Sequence, residues 1–392
     1  MIDYGSIKEE KIQIRNFNFR LLIYVLILSV FGVFIVYSVT GNEVTQSLIS
    51  STIKQVIGIG AGLAVLIVLC VIDYHKLVKW SWVLYLGAAA LLIYVLLFTV
   101  PIYGARRWIY FPMLGTIQPS EFSKPALLVA LAFILQKMED KISKIQVLLL
   151  YFAVALPILF LVLKEPDLST SIVLMIIIVS VLFLGGISYK WILGVIIAAV
   201  PLVILFFIAV YQPGQKLLSY AFKPHQIARI NAYFFPEQYP DATYQQNISV
   251  MAIGSGGLFG KGFNTESLES VKNGNFLSED DCDFIFAIIG EEMGLIGCCF
   301  VILMIILIVI ECFRISHKAA DIAGKVIAGG AGCALGFQAF INMSVALLLI
   351  PNTGIPLPFV SAGMSSLIAN YILIGLVLSV GLWGSVKRRV VF

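Results

Sequence analysis

Long runs without charge decide what this chain can fold into. Nineteen residues from Leu21 to Val39 and eighteen from Met293 to Ile310 contain no Asp, Glu, Lys or Arg. Each run is long enough to cross the hydrocarbon of a bilayer as a helix. The second run lies within an apolar stretch near 283–312, and others near 55–72, 80–101, 122–136, 147–163, 169–187, 190–211, 325–350 and 366–385, bounded by charges, Pro or Gly, bring the expected spans to ten. With 60% hydrophobic and 12% charged residues, the 392-residue chain has too few charges to coat a soluble protein. The reading is an all-α polytopic membrane protein with ten transmembrane helices in a single domain, 1–392. It has an N-terminal segment at 1–20, a long extracytoplasmic loop at 212–282 between helices 7 and 8, and a tail at 386–392. The first run has no small-residue cleavage site near its end and is read as a retained helix.

An even number of spans puts both termini on one side. Sixteen of the 26 Lys and Arg fall on that side, and five of the other ten lie in one long loop that the positive-inside rule discounts. Both termini are therefore expected in the cytoplasm, and the loops after the third, fifth, seventh and ninth spans face outward. Those four loops carry the unusual chemistry. The six cysteines form no CxxC pattern, and His75, His225 and His317 are far apart in sequence, so neither a disulfide framework nor a zinc site is expected.

The best candidate for a site is the stretch FLSEDDCDFIFAIIGEEMGLIG, Phe276 to Gly297. An acidic knot of Glu279, Asp280, Asp281 and Asp283 runs straight into apolar residues, followed by Glu291 and Glu292. Carboxylates carried into a membrane are expensive, so they line a cavity, meet a partner charge or do chemistry. On one helix Asp283 and Glu291 would lie ~12 Å apart in depth and ~80° apart around the axis, close enough to share a cavity wall.

The loop at 103–124, YGARRWIYFPMLGTIQPSEFSK, sets Arg106 and Arg107 ahead of Gln118, Glu121 and Lys124 at the head of the fourth helix. Guanidinium and ammonium together suit a phosphate, whereas Trp, Tyr and Arg also anchor helices at headgroup level. Both readings stand, and Glu121 and Lys124 are also spaced to pair with one another. The fourth helix is short and starts among polar residues, which suits an outer end inside a protein-lined cavity. KEPDLST, 164–170, reads first as a turn in which Asp167 caps the next helix. The loop at 211–282 reads as interfacial amphipathic helices joined by flexible glycine turns. Its GSGGLFGKG lacks Walker spacing, so no nucleotide site or cofactor is expected. IPNTGIPLPFVSAGMSSLIAN, 350–370, cannot be a regular helix before Gly363 and is expected to fold over the edge of a cavity.

GARRWI, QPSEFSK, PDLST, YQQNISVMAIGSGGLFGKG, DFIFAIIGEEMGLIG and NTGIPLPFVSAGMSSL occur in the order and with the spacing of the RodA/FtsW/SpoVE motifs. Over essentially its whole length the chain resembles this family, the SEDS group of shape, elongation, division and sporulation proteins. The resemblance implies a ten-helix peptidoglycan glycosyltransferase of the bacterial cytoplasmic membrane that polymerises lipid II and works with a class B penicillin-binding transpeptidase. It puts the family's essential acid on Asp283 and its motif Glu on Glu279. The chain departs from the family at Ser278, Asp281 and Cys282, where Pro, His and Thr are usual, and at Ala362 and Met364 in the later serine motif.

The transfer implied by that resemblance inverts an anomeric centre. It needs a base for the acceptor hydroxyl and positive charge for the leaving diphosphate. Asp283 suits the first role. Arg107 with Lys124 suits the second, with Gln118, Glu121 and Glu279 as further substrate-binding residues, and a divalent cation, Mg2+ or Mn2+, could bridge phosphate oxygens. Two other readings are a flippase for the same lipid-linked precursor and a non-catalytic scaffold for the transpeptidase. No internal repeat supports the flippase.

Overall fold

The computed structural model describes residues 17–40, 51–100, 106–111, 115–139, 142, 144–211, 218–219, 224–264 and 283–384. The acidic knot at 279–281, the tail at 386–392 and most of the N-terminal segment lie outside the described residues, as do parts of the 212–282 loop. Apart from one short hairpin, the described chain is helical: α1 (Phe19–Thr40), α2 (Ser51–Val71), α3 (Tyr74–Lys79), α4 (Ser81–Phe98), β1 (Ile109–Phe111), β2 (Gly115–Ile117), α5 (Pro119–Lys137), α6 (Ile145–Lys164), α7 (Leu168–Leu184), α8 (Tyr189–Tyr211), α9 (Pro224–Phe234), α10 (Pro240–Ser255), α11 (Ile285–Lys318), α12 (Ile322–Ala346) and α13 (Met364–Trp383). Seven of these, α1, α2, α4, α6, α11, α12 and α13, are long and apolar enough to cross a membrane. The hairpin pairs Ile109 with Ile117 in antiparallel register and was not expected from the sequence.

Polarity sorts the helices into layers. α1, α2, α4 and α6 are apolar around their whole circumference and leave side chains such as Phe34, Ile67, Leu97 and Phe160 exposed, as lipid-facing helices must. α5, α12 and α13 form the interior. α5 is buried along nearly its whole length, including Ser120, Glu121, Ser123 and Lys124 at its polar head. α12 packs against α11, α7 and α5, and α13 lies against α2. Small residues set that last spacing, because a Cβ on Gly62 would collide with the Tyr371 ring. On the face where α11 ends, Tyr74 of α3 donates to Asp321 Oδ1 at 2.8 Å, and Asp321 in turn caps α12 by accepting from Gly324 N at 2.8 Å.

α11 is broken at Gly294, whose φ of 63° only glycine adopts cheaply. The break frees the carbonyls of Glu291 and Glu292 and the amides of Leu295 and Ile296, and the glycine-rich loop takes up all four. Lys261 N donates to Glu291 O at 2.9 Å and Gly262 N to Glu292 O at 3.1 Å, while Leu295 N and Ile296 N donate to Gly257 O and Leu258 O. Lys261 Nζ pairs with Glu291 Oε1 at 2.7 Å. The expected flexible glycine turn is thus a strap tied to a broken helix, because each backbone group released in an apolar setting needs a partner.

Candidate functional site

Asp283 sits two residues ahead of α11 and not on it, so the expected shared helical wall with Glu291 does not form. Glu291 is fully buried and engaged by Lys261. What positions Asp283 is α12, where Asn342 Nδ2 donates to the Asp283 carbonyl at 2.9 Å and to Ile355 O at 2.7 Å. The irregular segment after α12 then closes over the acid. At Gly354, φ 73°, a Cβ would stand 3.1 Å from Asp283 Oδ2, 3.7 Å from Ser169 Oγ and 3.8 Å from Arg229 Nη1. Three polar side chains from α7, α9 and the head of α11 therefore converge on one point that only a glycine leaves open. Ser169 Oγ itself donates to the carbonyls of Thr353 and Gly354.

Arg229 was not foreseen from the sequence. Desolvation by the surrounding protein lowers the affinity of its guanidinium for a proton, Asp283 raises it, and the neighbouring Arg107 cation lowers it again. Arg229 therefore lies within electrostatic reach of both the acid and Arg107. It remains a cation at any accessible pH. Arg107 is held by the 165–166 turn: Nε donates to Glu165 O at 2.9 Å and Nη2 to Pro166 O. In that turn the Glu165 side chain is fully buried and neither carboxylate oxygen has a hydrogen-bond partner among the described residues. Burial, then the adjacent Asp167 charge, against the opposing pull of Arg107, pushes its pKa up to about 9.

Asp167 caps α7 as its position suggested, accepting from Thr170 N at 3.1 Å and Thr170 Oγ1 at 2.8 Å. It also accepts from Gln118 Nε2 at 2.5 Å and Ser120 Oγ at 2.8 Å, which ties the turn to the head of α5. Gln118 N donates to Ser365 Oγ at 2.9 Å, bringing the late serine motif to the same place. Lys124, 1% exposed, pairs with Glu121 at 2.6 Å and donates to Gln338 Oε1 at 3.2 Å. Gln338 and Asn342 are one turn apart on α12, so the Lys124 network lies about 6 Å deeper than the carbonyl of Asp283 along that helix. Arg107 and Lys124 thus engage separate protein partners, the 165–166 turn and the Glu121–Gln338 pair. Mid-helix amides are costly in an apolar span, and that signal would have found Gln338 and Asn342.

Glu279 lies outside the described residues, as do Asp281 and Cys282. Among the described residues no group of three His, Cys, Asp or Glu converges to hold a metal ion. The side chains gathered at Gly354 include a guanidinium, which does not suit a divalent cation, so no step below runs through one.

The family profile described as "Cell cycle protein", which groups FtsW, RodA and SpoVE, matches residues 19–382. The chain is 32% identical over 380 residues to a protein from Geobacter sp. strain M18 named "Probable peptidoglycan glycosyltransferase FtsW", covering 94% of this chain and 97% of that one. A protein of the same name from Nitrosomonas europaea is 34% identical over 313 residues, 78% of this chain and 76% of that one. The fold matches a chain from a structure described as "Structural coordination of polymerization and crosslinking by a peptidoglycan synthase complex", at 26% identity and a TM-score of 0.74 over 93% of this chain and 97% of that one. It also matches the rod shape determining protein RodA of Thermus thermophilus, at 24% identity and a TM-score of 0.66 over 93% of this chain and 96% of that one. The chain is a multi-pass membrane protein and belongs to the FtsW/RodA/SpoVE family of cell cycle proteins.

Proposed function

We propose that this protein is a peptidoglycan glycosyltransferase that polymerises lipid II. The observation that carries the reading is the convergence of Asp283, Ser169 and Arg229 at Gly354, with Arg107 within the field of Arg229. One displacement accounts for the chemistry. The acceptor's sugar hydroxyl attacks the anomeric carbon of the donor, the bond from that carbon to the diphosphate oxygen breaks, and the diphosphate leaves with the electron pair. Asp283 takes the hydroxyl proton as general base. Arg229 and Arg107 hold the charge that grows on the leaving undecaprenyl pyrophosphate. Gln118, Glu121 and Lys124 belong to the buried network that fixes α5 beneath the substrate, and Glu279 is a further substrate-binding residue, as the family resemblance implies.

In this reading all ten long helices cross the cytoplasmic membrane, α5, α7 and α8 included. The termini lie in the cytoplasm, the 212–282 loop and the site lie outside, and a class B penicillin-binding transpeptidase is the partner. The likeness to a chain of a peptidoglycan synthase complex supports that partnership.

The test is polymerisation of labelled lipid II by the purified full chain in detergent, with and without the partner. Wild type is expected to yield glycan chains and Asp283→Ala none. A variant that is dead in the assay but still moves the lipid across liposomes would make the protein a carrier, and one that retains full cellular function would make it a scaffold.

A further inference from the structure

At the opposite end of the molecule from Asp283, α1, α11 and α13 enclose a cleft of about 620 Å3. The part of α11 beyond its break, 295–318, by itself puts about 36 Å between the two places. The floor of the cleft is apolar, made by Phe17, Phe19, Ile315 and Val380, and its rim carries Arg20, Arg314 and Lys318. Glu311, Arg314 and Lys318 share one face of α11 at helical spacing. The one acid of the cleft is already committed. Buried Glu311 accepts from Asn18 Nδ2 at 2.8 Å through Oε2 and pairs with Arg314 through Oε1, while Asn18 Oδ1 caps α1 by accepting from Leu21 N at 3.1 Å. Among the described residues, Arg20 and Lys318 make no hydrogen bond or ion pair, yet both are held at the rim of a cleft with a greasy floor.

We infer that this cleft binds the phosphodiester headgroup of an anionic glycerophospholipid of the inner leaflet. Arg20 and Lys318 would take the phosphate, and the apolar floor would take the start of the acyl chains. A basic pocket between spanning helices at the cytoplasmic edge has the chemistry for such a headgroup, since long cationic side chains reach the phosphate level while their stems stay on apolar surface. A zwitterionic lipid brings its own cation to two uncompensated cations and is disfavoured. The volume fits a headgroup and the first carbons of its chains, not a whole lipid. Glu311 fixes the geometry by holding α1 and Arg314 in place, which leaves the two free cations to the ligand. The inference goes beyond the proposed reaction and uses only its orientation in the membrane.

The experiment is native mass spectrometry of the purified full chain, titrated with phosphatidylglycerol or with phosphatidylcholine, comparing wild type with the double variant Arg20→Gln/Lys318→Gln. Both positions are exposed, so the fold is expected to survive. Wild type is expected to retain one phosphatidylglycerol roughly tenfold more tightly than the double variant. Arg20→Lys/Lys318→Arg should restore retention, and phosphatidylcholine should show no such difference. Equal retention of phosphatidylglycerol by wild type and the double variant would overturn the inference. So would wild-type affinity for phosphatidylcholine that matches phosphatidylglycerol, or displacement of the lipid by inorganic phosphate alone. Lipid II polymerisation in detergent is expected to be the same in wild type and the double variant, so a failure of the lipid site is separable from a failure of the proposed reaction.

Discussion

At the scale of single residues, the acid and its counter-charges were unequally legible. Asp283 stood out because a carboxylate heading an apolar run demands a reason. Arg229 did not, because it sits in a long loop among aromatics and only the folded chain brings it beside Asp283. Two outcomes are expected in the lipid II assay. Asp283→Asn should lower turnover by at least ~10²-fold by removing the base, and Arg229→Gln should lower it by on the order of 10²-fold by removing a donor to the leaving group. An Arg229→Gln enzyme with wild-type turnover would take Arg229 out of the reaction. Glu165 makes a different prediction. Its folded pKa of about 9 lies above the ordinary 4.5, so the native state holds a proton that the unfolded chain gives up. The stability this supplies is complete below pH 4.5 and is lost as pH rises through about 9. Glu165→Gln keeps the shape without the titration. Thermal unfolding in detergent should find the variant as stable as wild type near pH 4.5 and more stable at pH 8.

At the scale of elements, the decisive feature is the strap across the break in α11. The sequence offered the glycines of IGSGGLFGKG and the GEEMG run separately, and nothing in either says that one satisfies the other. Close approach makes the glycines specific. A Cβ on Gly256 would collide with the Gly290 carbonyl, and one on Gly260 with the Glu292 carbonyl, whereas one on Gly254 meets nothing within 4 Å. Gly256→Ala is therefore expected to destabilise the protein by about 1–3 kcal/mol through overpacking, with Gly254→Ala close to neutral. Thermal unfolding of the two variants side by side checks this, and equal midpoints would mean the strap is loose. The cap at Asp167 shows the reverse case. A PD pair before an apolar run is a local signal, and the structure keeps it and adds Gln118 and Ser120 as further donors.

At the scale of the whole molecule, a second, smaller apolar cluster lies beside the main core. α8 meets α9 through a small cluster of Ala209, Val210, Leu218 and Ile230 that is separate from the main core. With its described contacts in that separate cluster, α8 is expected to exchange backbone hydrogens faster than α5, α12 and α13, as mass spectrometry of the deuterated protein in detergent would read. Protection equal to that of α12 would show that α8 is docked as firmly as the core. The sequence by itself determined that the chain is a bundle of apolar helices, where the apolar stretch of each one runs, and that most of its charged residues lie at or beyond the helix ends. The cost of burying charge and of leaving backbone groups unpaired in lipid permits nothing else, and it acts residue by residue along the chain. Only the tertiary structure decided which helices lie inside, that α12 holds Asp283 and the Lys124 network on one face, and that Arg229 is the cation facing the acid. Those are contacts between segments more than fifty residues apart, and local pattern carries no information about which distant partner a polar group will meet.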